Sequence, residues 1–418
     1  MTAVDGKRDP ATGQALGQND RAGRRARRLD SFHPCYRRYV AELTACSSEL
    51  EDLADTFPAL LFALVSGYAG PGQRERCFNL VCEGAPLREA ADVLGLPWWL
   101  RRLPAPAFAE PLPAFPRDEA FSFRMASLVP REQRLAPLWL QRVSYAFEAA
   151  GPEYALWLAR QHDLAGPHED ALRLMAAWAW FSGRPGLLGH RLLRRPWTPE
   201  TSLRRAREEV AAWRQRLRLI ECLGPGIEHA WLADGSAAGF EFVALRTVED
   251  FIAESEALEN CLDQYADQLY TGLTAVFSIR RGGRSIACVE IGLHDAEASM
   301  PTIVQLRAAR NRRAPPEIWQ ATFGWLGSQR LEPLSPLRHA PKALARIEAR
   351  RELWRPYLEV LAGTRHEQPF RRLVFQTMRP PGRGRRPVGL PPPRRPARAN
   401  PELAAAGGRE PATLRDRA

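Results

Sequence analysis

Residues 258–293 read LENCLDQYADQLYTGLTAVFSIRRGGRSIACVEIGL, and their pattern predicts the secondary structure at the centre of the C-terminal half of the chain. Two runs in which apolar residues alternate with other residues, Thr274–Arg280 and Ser285–Leu293, flank the segment RGG at 281–283. Alternation with a period of two is typical of strands, and a glycine pair between two such runs indicates a tight turn. The sequence therefore predicts a β-hairpin.

An amphipathic helix is predicted immediately before the hairpin. A single apolar stripe is formed by residues spaced three and four apart, namely Leu258, Cys261, Leu262, Tyr265, Ala266 and Leu269. On that spacing Asp263, Gln264 and Asp267 face away from the stripe. Upstream, Thr247 followed three residues later by Asp250 resembles a capping box and predicts the start of a helix.

Further strand and helix patterns surround this segment. Ile227–Leu232 and Phe240–Leu245 are strand-like runs joined by DGSAAG, and Thr302–Arg307 is a third strand candidate. After two prolines, apolar residues at helical spacing mark another helix: Ile318, Trp319, Phe323 and Leu326. We therefore predict an α+β fold for residues 225–330, with an antiparallel sheet and flanking helices.

The remainder of the chain divides into helical and tail segments. Residues 31–218 contain long helical stretches separated by prolines, such as 139–148 and 169–181, and predict a mostly α-helical N-terminal domain. Residues 331–378 are interpreted as a helical C-terminal extension. The two ends, 1–30 and 379–418, are rich in arginine, and the second also in proline, so we predict disordered basic tails there.

The positive charge of the chain is concentrated in these tails. The formal net charge is +11, of which residues 1–30 carry +3 and residues 379–418 carry +7. The numbers therefore do not require a basic face on the folded part, and attraction to nucleic acid would come mainly from the tails. Lys7 and Lys342 are the only lysines among 59 basic residues, a pattern typical of codon bias in GC-rich bacteria. The sequence does not decide whether the arginines are functional or reflect that bias.

Composition also sets expectations about compartment, cofactors and membranes. Seven cysteines without paired CxxC spacing argue against a disulfide framework and a zinc site, so a reducing cytoplasm is expected, with no metal and no cofactor. The N-terminus lacks the apolar core of a secretory signal. The longest apolar runs, 57–69 and 172–181, are shorter than the roughly 20 residues that span a bilayer, so no membrane partner is expected.

The order of several short motifs resembles the PcfJ-like family, which is named for a protein encoded on a conjugative plasmid. The motifs are ENCL at 259–262, Tyr265, Gly272, the hairpin, VQLR at 304–307 and Asn311. The phrase LGLPWWLRRLP at 94–104 is also similar to longer bacterial members. The resemblance covers residues 85–345 and is densest at 240–328. It implies little about activity, and it suggests an association with bacterial mobile genetic elements.

The chain departs from that family's pattern at two positions. Many relatives have histidine where this chain has Asn260, and glycine where it has Ala308. Both departures weaken a catalytic scheme that needs a Cys/His couple.

Cys261 is the weak catalytic candidate. A thiolate nucleophile there would need a base, such as His229 or His294. Its place in the apolar stripe instead favours packing in the core as a small hydrophobic residue. Neither histidine has metal-ligand spacing, and each alone is an ordinary surface or hydrogen-bonded histidine.

Gln305, Arg307 and Asn311 are the better binding candidates. Gln305 and Arg307 alternate onto one face of a strand, and Asn311 follows just beyond, so together they offer donors to an anion or a base edge. The alternative is a solvated sheet edge. Glu290 on the neighbouring strand is included because it could pair with Arg307.

Residues 87–99, LREAADVLGLPWW, have the Ala91 and Gly95 spacing of a helix-turn-helix. Pro104 and Pro106 shorten the second helix, so the motif is degenerate. Both DNA reading and a packed helical corner are open.

Three functional hypotheses follow. The first is a binding or accessory protein of a mobile element that uses the Gln305, Arg307 and Asn311 face on an anionic or protein partner. The second is a nucleic-acid-binding protein that uses the basic tails and the degenerate helix-turn-helix. The third is an enzyme of unknown reaction built around Cys261 or the Gln305/Arg307 region. Apart from nucleic acid as a candidate ligand of the tails, the sequence identifies no partner.

Overall fold

The structure is a computed structural model that describes residues 26–161, 169–224, 226–227, 229–270, 272–293, 301–330 and 343–377. Residues 26–30, which the sequence assigned to the N-terminal tail, are helical. The rest of both predicted tails and His294 lie outside the described residues.

The first part of the chain is helical, as predicted. Its helices are α1 (Pro34–Thr44), α2 (Ser48–Thr56), α3 (Pro58–Val65), α4 (Pro71–Cys82), α5 (Leu87–Leu94), α6 (Glu119–Leu128), α7 (Ala136–Ala150), α8 (Pro152–Ala159), α9 (Glu169–Ser182), α10 (Leu188–Arg191) and α11 (Leu203–Leu223). Several begin with proline in the first turn, where the missing N–H costs no helical hydrogen bond. Helices α3, α8 and α9 are buried on nearly all sides and form the centre of the core.

The segment with helix-turn-helix spacing is a packed corner. Helix α5 ends at Gly95, whose φ of 70° gives a left-handed cap. A five-residue 3-10 turn, Trp98–Arg102, follows in place of a second helix, and it buries Trp99 and Leu100. No recognition helix forms there, because prolines on either side of the turn leave too little chain for one.

The second part contains a five-stranded antiparallel sheet, so the α+β fold is confirmed. The strands are β1 (Gly235–Ala237), β2 (Phe240–Ala244), β3 (Thr274–Arg281), β4 (Arg284–Leu293) and β5 (Pro301–Ala308), and they neighbour each other in chain order. Helix α12 (Val248–Leu258) and the short helix α13 (Ala266–Tyr270) lie between β2 and β3, and α14 (Pro316–Gly327) follows β5.

The β3–β4 hairpin, the third strand and the final helix are confirmed, but the first predicted strand is wrong. We expected Ile227–Leu232 to pair with Phe240–Leu245 across a six-residue connection. Instead Gly235–Ala237 pairs with Phe240–Phe242, and the turn is only Ala238 and Gly239. Both turn residues have positive φ, 48° and 77°, which suits a two-residue hairpin turn and brings the strands together within DGSAAG.

One face of the sheet packs against α14. Trp325 is fully buried, stacks on Phe242 with ring centroids 4.6 Å apart, and also contacts Phe277 at 4.9 Å. These residues form an apolar core of their own with the alternating side chains of β3 and β4, including Val289 and Ile291.

The opposite face of the sheet is covered by α12 and the segment up to α13. The predicted capping box of α12 is confirmed: Thr247 Oγ1 accepts from the Asp250 N–H, and Asp250 accepts from the Thr247 N–H. Helix α11 packs on the outer side of this layer. Val276 and Cys288 from the sheet belong to the same large core cluster as the N-terminal helices.

Two C-terminal helices, α15 (Ala343–Leu361) and α16 (Glu367–Thr377), return to the N-terminal helical region. Trp354 packs edge-on against Trp213 at 5.7 Å, and Tyr357 contacts Trp180 at 5.3 Å. The described helices include none that is long and apolar enough to cross a membrane.

Candidate functional site

The predicted helical stripe is interrupted at Glu259, and this break creates the site. Helix α12 ends at Leu258, and Glu259 has a left-handed backbone conformation with φ 48°. The chain then forms a 3-10 turn, Leu262–Gln264, before α13 begins. The expectation of one continuous helix through Leu269 is therefore wrong, because the left-handed residue shifts the helical phase of everything after it.

Cys261 is exposed as a result, so the prediction that it packs in the core is wrong. Its Sγ accepts a weak hydrogen bond from Asn311 Nδ2 at 3.9 Å. Among the described residues no histidine bonds to Cys261, and His229 is an exposed residue before β1. The structure thus supplies Cys261 with solvent access but with no described histidine base.

Asp263, expected to face solvent, is buried. Its Oδ2 accepts from Arg216 Nε on α11 at 3.0 Å, and Arg216 also donates to Glu256 Oε1 at 3.0 Å. Arg216 is itself 1% exposed. This buried ion pair joins the long helix α11 to the layer that covers the sheet.

Asn260 holds the turn in place. Its Oδ1 accepts from the Leu262 N–H at 3.1 Å, and its backbone oxygen accepts from Ser255 Oγ at 2.7 Å. Its Nδ2 lies 3.7 Å from Cys288 Sγ on β4. Asparagine suits this position because one amide group can accept from the backbone and donate to the sheet.

A buried polar cluster lies beneath the turn, where Tyr265, Glu290 and Gln305 meet. Glu290 Oε2 accepts from Tyr265 Oη at 3.0 Å and from Gln305 Nε2 at 2.6 Å, and Gln305 also donates to Tyr265 Oη. Glu290 and Gln305 are direct cross-strand partners. The polar groups of these three side chains are therefore directed at one another.

Burial dominates the protonation of this cluster. It raises the pKa of Glu290, although hydrogen bonds from Gln305, Tyr265 and Thr274 oppose the shift. Burial also raises the pKa of Tyr265, and the Glu290 carboxylate adds to that increase. Both effects follow from removing a charged form from water.

A second polar group lies on the same face of the sheet, nearer the β3–β4 turn. Ser285 Oγ donates to Glu254 Oε2 at 2.7 Å, while Glu254 Oε1 is buried without a hydrogen-bond partner in the described part of the chain. Burial raises the pKa of Glu254 above its ordinary value. Burial likewise raises the pKa of the neighbouring Cys288 thiol to about 12.

The suggested pairing of Glu290 with Arg307 does not occur. The register places Arg307 opposite Cys288, and Glu290 opposite Gln305. Gln305 and Arg307 share one face of β5, as predicted, and both are half-buried. They differ in their partners: Gln305 donates to Glu290 and Tyr265, whereas no carboxylate among the described residues pairs with Arg307.

Glu259 and Arg310 form a two-pronged ion pair across the edge of the layer. Arg310 Nε and Nη2 donate to the two carboxylate oxygens at 2.9 and 3.0 Å, and this pairing lowers the pKa of Glu259. Arg310 and the following Asn311 both have left-handed backbones, with φ 58° and 55°. The two strained segments thus face each other.

Seven arginines lie at the end of the sheet where β3 turns into β4 and β5 ends, and we call this surface the arginine end. Its members are Arg280, Arg281, Arg284, Arg307, Arg310, Arg312 and Arg313. In the strand register, Ala308 at the end of β5 lies opposite Ala287 on β4. Ala287 is three residues along β4 from Arg284, which is about 10 Å at a typical strand rise. The two arginine groups therefore occupy the same end of the sheet.

Most of these arginines have no carboxylate partner. Within the described residues only Arg310 of this set forms an ion pair, although Glu241 lies directly across from Arg280 on β2. Arg281 covers the Phe240 ring at 4.0 Å, and Arg312 and Arg313 are exposed. An average charge for the folded part hides this surface, because the register brings arginines from two separate segments, 280–284 and 307–313, to one end of the sheet.

The described part of the chain contains no candidate metal-binding site. No group of three or more histidine, cysteine, aspartate or glutamate side chains is placed to hold an ion there.

Apart from Arg310, the residues gathered at this site belong to the motifs that carry the family resemblance. Glu259 meets Arg310, Asn260 meets Cys288, Cys261 meets Asn311, and Tyr265 meets Gln305. Residues 229–322 match the PcfJ-like protein family. A comparison with curated proteins finds no match, and neither does a comparison with solved structures.

The family match covers the whole sheet, α12, α13 and the first part of α14, so the site lies in the PcfJ-like segment. Motifs that are separated by about 50 positions in the sequence form direct contacts in it. Many of the PcfJ-like motif residues therefore contact one another, and the exposed part of the site comprises Cys261, Asn311 and the exposed members of the arginine end.

Proposed function

We propose that this chain is a binding protein whose PcfJ-like segment holds a polyanion, and that the phosphate backbone of a nucleic acid is that ligand. The arginine end is the contact surface. The observation that carries the proposal is the exposure of Arg312 and Arg313 without carboxylate partners among the described residues, next to the equally unpaired Arg307. Unpaired guanidinium groups on a fixed sheet end form bidentate contacts to phosphate.

Arg307 and Asn311 have the binding role in this proposal. Asn311 is exposed at the turn that ends β5, and its amide adds a donor beside the guanidinium groups. Gln305 and Glu290 act as positioning residues, because their hydrogen bonds to Tyr265 hold β5 against β4 and the helical layer.

The burial and hydrogen bonding of the polar side chains favour a binding function over a catalytic one. The groups with raised pKa values, Glu290, Tyr265 and Glu254, are buried and largely hydrogen-bonded to other side chains. The exposed Cys261 has no described histidine to activate it. A role as an accessory protein of bacterial mobile elements is part of the proposal and rests on the family resemblance.

The salt dependence of nucleic-acid binding tests the proposal. Affinity of the full chain for a fluorescent 30-base-pair duplex is measured between 50 and 300 mM salt. The plot of log K against log salt has a negative slope, to which each phosphate contact contributes about −0.9. The double variant Arg312→Gln/Arg313→Gln should therefore make this slope less steep by about two. The matched control, Arg76→Gln/Arg214→Gln, removes the same charge from two exposed helical positions and should leave the slope unchanged.

The basic tails are the competing source of affinity. They hold +10 of the net charge of +11, and their residues lie almost entirely outside the described part of the chain. If removal of residues 1–30 and 379–418 abolishes binding and the Arg312/Arg313 variant has the control's slope, the arginine end is not the binding surface.

A further inference from the structure

A groove of about 850 Å³ lies in the helical region, between the 3-10 turn Trp98–Arg102 and helix α6. It is distant in sequence from the PcfJ-like segment. Its lining combines exposed aromatic rings with several guanidinium groups, a combination absent from the buried polar cluster described above.

Two large aromatic side chains border the groove with much of their surface in water. Phe123 on α6 is 80% exposed, and Trp98 is 38% exposed. Trp98 is held in place edge-on against Phe57, with ring centroids 5.4 Å apart. A fixed indole and a nearby phenyl ring offer two flat surfaces on which planar ligand groups can stack.

The charge of the groove is positive. Arg88, Arg101 and Arg102 line it, against a single carboxylate, Glu119. Arg101 lies 5.0 Å above the Trp98 ring and bonds to a backbone oxygen through Nε at 3.1 Å, and Arg102 bonds to another through Nη1 at 2.7 Å. Backbone anchoring fixes two of the guanidinium groups and leaves their other N–H groups free for a ligand.

Arg88 adds a further guanidinium group to the same lining, and Trp99 lies in its wall. Arg88 is exposed and has no ion-pair partner among the described residues. Trp99 is 2% exposed, and its indole N–H finds no acceptor in the described part of the chain. Because this nitrogen is buried, Trp99 forms part of the wall of the groove and is not one of its ligand-binding groups.

We propose that this groove binds single-stranded nucleic acid, with bases stacked on Trp98 and Phe123 and phosphates held by Arg88, Arg101 and Arg102. Interleaved aromatic and basic side chains are the usual means of holding an unpaired strand. A duplex does not fit the proposal, because paired bases keep their flat faces inside the stack. This site differs from the arginine end, because the arginine end contacts phosphates only and the groove also contacts bases.

The test separates base stacking from phosphate attraction. Anisotropy measurements with the full chain compare a fluorescent 12-nucleotide oligothymidylate with an abasic strand of the same length and charge. The oligothymidylate should bind at least about five-fold more tightly, since stacking on one aromatic ring contributes a factor of about five or more. Phe123→Ala should lower affinity for the oligothymidylate by a similar factor and leave the abasic strand unchanged.

Phe375→Ala is the matched control, because Phe375 is 65% exposed on α16, outside the groove. It should change neither affinity. Trp98→Ala should have the same effect on affinity as Phe123→Ala. Because Trp98 contacts the buried Phe57, the melting temperature of the Trp98→Ala variant is measured as well. The Phe123 variant decides the question if the Trp98 variant is unstable.

Equal binding of the two strands by the wild-type chain would overturn the proposal, and so would a Phe123→Ala variant indistinguishable from Phe375→Ala. Phe123-dependent binding of an acidic peptide, without a preference for oligothymidylate over the abasic strand, would assign the groove to a protein partner instead. The arginine-end variant Arg312→Gln/Arg313→Gln should weaken both strands alike and preserve their ratio, so failure at one surface is distinguishable from failure at the other.

Discussion

Arg216 of helix α11 and Asp263 of the turn before α13 form a buried ion pair, with Nε and Oδ2 3.0 Å apart and side-chain exposures of 2% and 8%. This contact links the N-terminal helices to the layer that covers the sheet. A buried pair of this kind adds little over a well-packed apolar alternative, but removal of one partner leaves an uncompensated charge. The pair is therefore one sensitive contact among several between α11 and this layer, which also include Arg216 with Glu256 and Arg218 with Asp267.

Arg216→Ala should accordingly lower the free energy of unfolding by about 3–5 kcal/mol. Urea titration followed by circular dichroism measures this change. The control is Arg38→Ala, which removes an ion pair to Glu42 whose side chains are 84% and 58% exposed and should cost at most about 1 kcal/mol. Equal costs for the two variants would contradict a buried role for Arg216.

The contrast between the hairpin and the preceding helix explains what could be predicted from the sequence. The β3–β4 hairpin was correctly predicted because alternation and the glycine pair at 282–283 act locally. The break at Glu259 was missed, since the apolar spacing continues through it. The contacts that accompany the break are non-local: Arg310 lies 51 positions from Glu259, and Arg216 lies 47 positions from Asp263.

In the candidate site too, local features were predictable from the sequence and non-local contacts were not. The shared face of Gln305 and Arg307 follows from strand alternation, so that much was predicted. Which of them has its side chain bonded within the protein depends on Tyr265, which reaches Gln305 on β5 from 40 positions away. The arginine end depends on the register of β4 against β5, and a sequence read in one dimension contains no register.

Cysteine labelling tests the revised position of Cys261. In the native protein at pH 7.5, iodoacetamide should modify the exposed Cys261. It should spare the buried Cys288 and Cys77, because burial raises the pKa of each thiol to about 12 and little reactive thiolate is present. Mass spectrometry of the digested protein measures each site. Labelling of Cys288 as fast as Cys261 under native conditions would show that the turn does not cover the sheet.

The pH dependence of stability should carry the signature of Glu254. Because burial raises its folded-state pKa above the ordinary 4.5, the folded protein binds more protons than the unfolded chain in the window just above pH 4.5. Stability therefore falls as pH rises through that window. Glu254→Gln cannot titrate, so its stability relative to wild type should increase with pH across the window and then level off. Urea unfolding at several pH values between 3 and 8 measures this difference.

Glu259→Gln is a control with the opposite sign. The ion pair with Arg310 lowers the folded-state pKa of Glu259, so its contribution is present above pH 4.5 and is lost as pH falls below that value. The stability of this variant relative to wild type should therefore decrease as pH rises toward 4.5. Parallel curves for the two variants would contradict the opposite environments of the two carboxyl groups.

Tyr265→Phe tests whether the buried polar cluster acts as a positioning unit. The hydroxyl donates to Glu290 at 3.0 Å and accepts from Gln305, so its loss leaves the buried Glu290 and the half-buried Gln305 each with one partner fewer. The expected cost is about 1–3 kcal/mol, measured by urea unfolding, while Tyr39→Phe at a 56% exposed position should change stability by less than about 0.5 kcal/mol.

A pH-dependent cost distinguishes this role from simple packing. The tyrosine hydrogen bond opposes the burial that raises the pKa of Glu290, so without it that pKa rises further. The ionised carboxyl is then less favourable in the folded state, and the cost of Tyr265→Phe should be larger at pH 7 than at pH 4.5. In the background of Glu290→Gln, which has no charge to stabilise, the same substitution should cost equally at both pH values. A cost that is independent of pH in the wild-type background would reduce Tyr265 to a packing residue.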